Sequence, residues 1–582
     1  MSFFKKFFSV ITISSITLAT VCSCNNDPSA SQSSGYGKSK YPEQITIDVY
    51  DQEANFKGIQ NGWFGDELLE RFNVKLNIIA PNVDPNGQAL MDVRAASGSI
   101  GDIIICSANN NALEALVEQG LLLNMEDYIR DKEVMKYESA ITRLNQGLDG
   151  IYAIPSEIST ASVTEPLNIK EPNYGPYLRW DIYSEVGYPQ MDTLEDLLDV
   201  LVLMKEKEPY SDSGEETYGF SFFSDWDLNM MNAAKQPCCF YGYDEYGFVL
   251  AKADGSDYQS ILDDDSLYMR VLKLYFDANQ LGLVDPDSRT NTYTDVYDKY
   301  QDGQILYCPW PFLGQSAYNS LSNMEQGKGF MLSDISDMEI YAYGAYDQGN
   351  VNNVIAIGAD TKDPQRMMDI INWLYTDEGI YANQASNDSG SAGPIGICWE
   401  MGEDGPYLTD YGKKVFQDAS NDPIPGYDGS FRDGISRLNF SAVNLKELDS
   451  NGYPYAYLLW DSELSKDKTV LEENWSEYMN ALSSEDYLEK NDKILVAPGC
   501  VFVNEAETTE IKEIRDACRA IIIQYSWDMV FAPDQAHFNA IKKEMQRLCM
   551  GLGYSDVLEY DMEGAAKQGS MRQAAIAEEN NF

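Results

Sequence analysis

Histidine is almost missing from this chain: His537 is the only one in 582 residues. That excludes multi-histidine metal centres and leaves a histidine-dependent catalytic triad a single candidate base. Positive charge is also scarce, with 42 Lys and Arg against 93 Asp and Glu and a formal net charge of −51. Neutralising phosphates needs clustered basic side chains, so a nucleic-acid partner is excluded. No cysteine pair has the CxxC spacing of a zinc site, and no internal repeat of a solenoid is present. The one long apolar run, Phe7 to Val21, is too short for a comfortable membrane span. What the chain does have is 44% hydrophobic and 12% aromatic residues, enough for packed cores and incompatible with global disorder. Its length suits about two to four domains.

The apolar run follows Lys5 and Lys6 and has the form of a signal-peptide core, so export is expected. Val21-Cys22-Ser23-Cys24 then resembles the lipobox of bacterial lipoproteins. That resemblance implies cleavage before Cys24, lipidation of that cysteine and anchoring to the outer face of the cell membrane. Cys22 suits less well, because bulky Val21 precedes it. Loss of residues 1–23 removes Lys5 and Lys6 and takes the charge from −51 to −53. Residues 24–43, rich in Ser, Gly and Asn, read as a flexible tether. Of the other cysteines, several sit in apolar runs as buried thiols, and their pairing is left open.

From Ile45 the pattern turns regular. Alternation at 45–50 predicts a strand, and Phe64, Leu68, Leu69 and Phe72 share one helical face. Val74, Leu76 and Ile78 alternate as a second strand, a helix is expected near Met91 to Ala96, and Ile103 to Ile105 suits a strand buried on both faces. A short helix through Leu113, Leu116 and Val117 ends at Gly120, which fits a left-handed cap. This β-α-β-α-β rhythm predicts an α/β fold with a mostly parallel sheet, whose ligands lie beyond the carboxyl ends of the strands. Candidate binding residues there are Tyr50, Asp51, Asp102 and Asn109.

Six segments in chain order carry a family resemblance. Residues 94–105 (RAASGSIGDIII) and 120–129 (GLLLNMEDYI) look like the "ASG-x-x-PD-I-I" and "G-x-L-x-x-L-x-x-Y-I" pattern of extracellular solute-binding proteins of bacterial ABC importers. Residues 150–155 (GIYAIP) resemble their crossover strand, and 177–181 (YLRWD) with 185–189 (EVGYP) resemble the start of the second lobe. Residues 302–310 (DGQILYCPW) and 370–379 (IINWLYTDEG) complete the match, the last resembling the long oligosaccharide-binding lipoproteins of the group. Gly101 stands where the family usually has proline before Asp102.

The resemblance implies a two-lobe, periplasmic-binding-protein-like fold with crossover hinge strands and extra C-terminal helices. Lobe one would hold 44–157 and 292–345, and lobe two 158–291 and 346–582. Helix starts at Thr193 with Asp196 and at Asp363-Pro364, and amphipathic patterns over 509–525 and 536–550, agree with it. The implied function is a receptor that captures an oligosaccharide and delivers it to ABC permease subunits, as a monomer, without cofactor or metal. Many long relatives carry a calcium loop after the first helix of lobe two. Here 207–216 puts Tyr210 where an oxygen ligand is needed, so no calcium is expected there, with a rearranged site using Glu215 or Glu216 as the alternative.

The 39 Tyr and 9 Trp suit stacking on sugar rings. Trp226, after the apolar YGFSFF and beside Asp225, is a candidate. Trp310, between Pro309 and Pro311 at a strand end, is expected to be the main stacking platform. Arg179 is a further candidate, with an anchoring ion pair as its other role. The acidic charge favours a neutral oligosaccharide over polyanions. Two other classes stay open: an exported carbohydrate-active enzyme using paired carboxylates, and a glycan-capturing lipoprotein of a different transport system.

Overall fold

The computed structural model describes residues 39–84, 87–109, 111–346, 349–386, 390–417, 420–500, 502 and 506–579. The signal segment, Cys24 and most of the tether lie outside the described residues. The first lobe is built on a six-stranded sheet in the order Gly58–Ile59, Val74–Ile79, Ile45–Asp51, Ile103–Cys106, Asn350–Ile357, Ala153–Ser156. Ile45–Asp51 runs parallel to both neighbours, pairing Ile45 with Val74 and Val49 with Ile103. Asn350–Ile357 is antiparallel to the strands on each side of it.

Alternation decides which side each residue feeds. In Ile103–Cys106, Ile103 and Ile105 join one buried cluster with Trp63, Phe64, Leu68 and Trp373, while Ile104 and Cys106 join another with Leu113, Leu116 and Leu121. A strand buried on both faces therefore reads as an unbroken apolar run. Helix Gly62–Phe72 buries Trp63, Phe64, Leu68 and Phe72 and ends at Asn73, whose φ of 52° is left-handed. Gly120 likewise takes φ 70° after helix Ala112–Glu118.

The second lobe has its own core around Tyr177–Arg179, a strand flanked antiparallel by Tyr307–Cys308 and Phe330–Leu332. The expected lobe boundaries need correction here. Residues of 292–345, among them Val296, Tyr300, Leu306 and Tyr307, are buried in this second core, not in lobe one. The chain returns to the first lobe with Asn350–Ile357, and side chains from Ile355 to Trp460 pack in the first core. From Leu471 the chain is again in the second core. An apolar strand with a proline behind it looks the same in sequence whichever sheet it joins, so the segment 302–310 could not reveal its lobe.

The crossovers are tightly packed. Ile158 bridges to Tyr346 and Val443, and Pro166 to Gly344. A Cβ on Gly344 would collide with the Val163 carbonyl and lie 2.9 Å from that of Ala497, so only glycine fits. Three helices end the chain: Thr509–Val530, Gln535–Leu552 and Tyr554–Glu579. The first two match the amphipathic patterns. Among the described residues, no helix is long and apolar enough to cross a membrane.

A buried carboxylate anchors the last helix. Asp561, 1% exposed, accepts from the Phe248 amide at 2.7 Å and from both arms of Arg515 at 2.8 and 2.6 Å. Removing one partner of a buried ion pair leaves an uncompensated charge. We expect Asp561→Ala to destabilise this helix by about 3–5 kcal/mol. Hydrogen exchange should show lost protection over Tyr554–Glu579, with the sheet of the first lobe unchanged.

Candidate functional site

Two hollows open where the lobes meet. The larger, about 1390 Å³, has Gln384, Phe416, Val443 and Tyr457 on its first-lobe wall and Lys170, Glu171, Phe312 and Asn319 on the second. The smaller, about 470 Å³, sets Asn109 and Val351 against Asn229, Arg515, Arg519 and Tyr560. Tyr346, Asn350 and Asn352 line both, so the two hollows meet at the crossover.

Local structure explains how the aromatic faces arise. Pro311 opens helix Pro311–Tyr318, which leaves Phe312 in the first turn, 41% exposed at the larger hollow. Opposite, Phe416 packs on Tyr457 with ring centroids 4.8 Å apart. Amides supply polar contacts: Asn168 Oδ1 and Gln417 Nε2 in the larger hollow, and Asn109 Oδ1 in the smaller, are buried with no protein partner. The Tyr246 hydroxyl in the smaller hollow is in the same state. Such groups are costly to bury unless something bonds them. A polyhydroxylated ligand offers both donors and acceptors.

Charge in the larger hollow is mixed, with five glutamates and two aspartates against three lysines and one arginine. Several of these are already engaged: Glu463 pairs with Lys466, Glu485 with Lys446, and Asp486 with Lys490. Burial pushes Glu171 up to about 7, against hydrogen bonds from Ser484, Tyr177 and Gln315. Burial also raises Glu157, which takes a 2.7 Å bond from Asn350. Burial thus makes each carboxyl easier to protonate in the folded chain than in the unfolded one. The stability tied to a protonated Glu171 is full below its ordinary value of 4.5 and is lost as pH rises through about 7.

A half-buried polar chain links the hollows through the second lobe. Arg519 reaches Asn229 at 3.3 Å, Asn229 reaches Glu245 at 3.2 Å, and Lys235 bridges Glu245 and Asp244 at 3.7 and 2.9 Å. Asp244 accepts from the Tyr343 hydroxyl, and Tyr343 lines the larger hollow.

Of the residues expected at the site, Asn109 lines the smaller hollow and donates to Asn352. The others line neither hollow. Trp310 is 6% exposed, its indole N–H donating to Gln236 at 3.2 Å, in a cluster with Phe223, Trp226 and Phe312. The platform expectation for Trp310 is therefore corrected: the proline-flanked turn presents the next aromatic, Phe312, and folds Trp310 inward. Trp226 stacks on Tyr293 at 4.6 Å, and Asp225 accepts from the Tyr293 amide at 2.6 Å. Tyr50 is buried in the first lobe, which pushes its hydroxyl up to about 12. Asp51 is fully buried, pushed up to about 7 by burial, and bonded by the Asn439 amide at 2.8 Å. Asp102 clamps the Asp48 amide at 3.0 Å and the Thr361 hydroxyl at 2.7 Å. Arg179 is held by Asp181 at 2.7 and 3.0 Å and lies 4.0 Å from the Tyr318 ring centroid, an anchor in the core.

Phe416, Tyr457 and Gln384 carry no local sequence signal, because the lobe their segment joins is set by long-range packing. His537 is exposed, bonded to Asp534 at 2.9 Å, and outside both hollows. In the 207–216 loop, Ser211 and Ser213 donate to Asp302 at 2.8 and 2.7 Å, and Asp212 takes Lys328 at 2.9 Å. Among the described residues, no three His, Cys, Asp or Glu side chains group as metal ligands.

No family model matches the chain, and no curated protein does. Solved structures do match. The alginate-binding protein AlgQ2, solved without calcium, superposes with a TM-score of 0.59 at 15% identity, covering 90% of this chain and 98% of that one. The ABC-transporter substrate-binding protein FusA of S. pneumoniae, in complex with kestose, gives 0.58 at 15% identity, over 91% and 100%. A solute-binding protein of an HMO-binding ABC transporter, from Bifidobacterium longum infantis, gives 0.51 at 14%, over 91% and 99%. The chain has the two-lobe α/β fold of ABC-transporter solute-binding proteins.

Two alanine substitutions separate core from cleft. Trp310→Ala should destabilise the second lobe by about 3–5 kcal/mol. Phe312→Ala should leave the melting temperature nearly unchanged and weaken binding of a ring ligand by about 1–3 kcal/mol, as for other aromatic stacking platforms. Thermal melting and calorimetry on both variants check the assignment.

Proposed function

We propose that this chain is a lipid-anchored extracytoplasmic receptor that captures a neutral oligosaccharide between its lobes and delivers it to the permease of an ABC importer. The observation that carries the reading is the larger hollow, whose aromatic faces and unpartnered amides come from both lobes. Aromatic faces cover the C–H faces of sugar rings, and amides exchange hydrogen bonds with hydroxyls. A ligand held this way is desolvated by closure of one lobe on the other.

Proteins of this fold include one in complex with kestose, a neutral sugar, and one named for alginate, a polyuronate. The fold alone does not choose between these classes. The excess of carboxylates over basic groups in the larger hollow, within a chain of net charge −51, favours the neutral one. Anchoring rests on the lipobox-like VCSC and the apolar run before it.

The test uses the full chain lacking residues 1–23, titrated calorimetrically with neutral fructo-, gluco- and manno-oligosaccharides and with oligouronates, while products are followed by chromatography. Binding of a neutral member with no product is expected. Cleavage of the sugar, or preference for the oligouronate, would contradict the reading. Mass spectrometry of the native N-terminus should find a diacylglyceryl group on Cys24.

A further inference from the structure

Helices Thr509–Val530 and Gln535–Leu552 form an antiparallel hairpin that belongs to the second core. Cys518 and Cys549 sit across its seam, 31 residues apart in the chain and both 0% exposed. Their contacts are reciprocal. Cys518 Sγ lies 3.8 Å from the Cys549 carbonyl, and Cys549 Sγ lies 3.9 Å from the Cys518 carbonyl. Each side chain therefore points at the other residue at the same level of the hairpin, which brings the two thiols together across the seam. Other cysteines face elsewhere: Cys238 lies against the Ala234 carbonyl of the preceding turn, and Cys308 against that of Trp310. All eight described cysteines are free in this structure.

We infer that Cys518 and Cys549 are a modification site, oxidised to a disulfide by exchange with a low-molecular-weight disulfide such as oxidised glutathione. One thiol, as its thiolate, attacks a glutathione sulfur and expels one glutathione thiolate. The second protein thiolate then attacks the mixed disulfide and expels the other. The protein loses two electrons and two protons, and two molecules of reduced glutathione carry them away. The bond would close a loop of 31 residues and restrict the unfolded hairpin. It also bears on the cleft, because Arg515 and Arg519 flank Cys518 on the same helix and line the smaller hollow. Both thiols are buried, so exchange occurs as the hairpin forms or opens.

Export, part of the reading above, would bring the pair to an oxidising environment. The closing experiment is independent of it. The reduced full chain lacking residues 1–23 is incubated with oxidised and reduced glutathione, both folded and during refolding from urea, then alkylated and digested. A peptide pair joining Cys518 to Cys549, lighter by two hydrogens, is expected. So is a rise in melting temperature that Cys518→Ala abolishes and Cys308→Ala retains. Both cysteines free after both treatments, or each carrying its own glutathione, would overturn the proposal. A cross-link in buffer alongside reduced thiols in protein taken from intact cells would support the pairing and speak against export.

Discussion

The pairing of one returning strand underlies both the fold and the cleft. Asn350–Ile357 lies between Ile103–Cys106 and Ala153–Ser156, its Ile355 and Ile357 in one core and its Val354 and Ala356 in the other. Its buried half fixes where the chain re-enters the first lobe. Its open end, Asn350 to Asn352, is the point at which the two hollows touch. Side chains that serve the seam are thus fixed by the register of a buried strand, which a slip of one residue would invert. The crossover beside it has little freedom either, since Gly344 meets the Val163 and Ala497 carbonyls.

Much of the first lobe was legible because local patterns and packing agree there. The alternation at Ile45–Asp51, the apolar run at Ile103–Cys106 and the helical spacing from Phe64 to Phe72 each have one structural solution. The start near Asp196 was readable because Thr193 donates to Asp196 at 3.2 Å, and Asp363 accepts the Arg366 amide at 3.2 Å. The return strand was not, because Asn352 and Asn353 interrupt its apolar pattern where it leaves the core. Helix Tyr554–Glu579 escaped for a different reason. It contains Gly564 and Gly569, poor helix formers, where a Cβ would collide with Tyr246 and Tyr258 of the sheet it covers.

The site was less legible than the fold. Sequence gives the end of a strand but not which neighbour turns inward, so Trp310 was expected where Phe312 stands. Carboxylates and a guanidinium expected to meet ligand instead hold backbone: Asp102 binds the Asp48 amide and Asp51 the Asn439 amide, while Arg179 is locked by Asp181. Asn109 follows a strand whose end opens on the seam, and it lines the smaller hollow. Phe416 and Tyr457 come from a stretch whose lobe depends on long-range pairing, and no local pattern carries that information.

Two separate cores joined by close-packed crossovers suit a molecule whose parts move as bodies, with the cleft as the variable space. The polar chain from Arg519 through Lys235 to Tyr343 keeps the second-lobe walls of both hollows in one rigid unit. The most direct test is small-angle scattering with and without a saturating neutral oligosaccharide whose binding calorimetry has established. The account predicts a smaller radius of gyration in the bound state. Identical compactness at full occupancy would contradict capture by lobe closure.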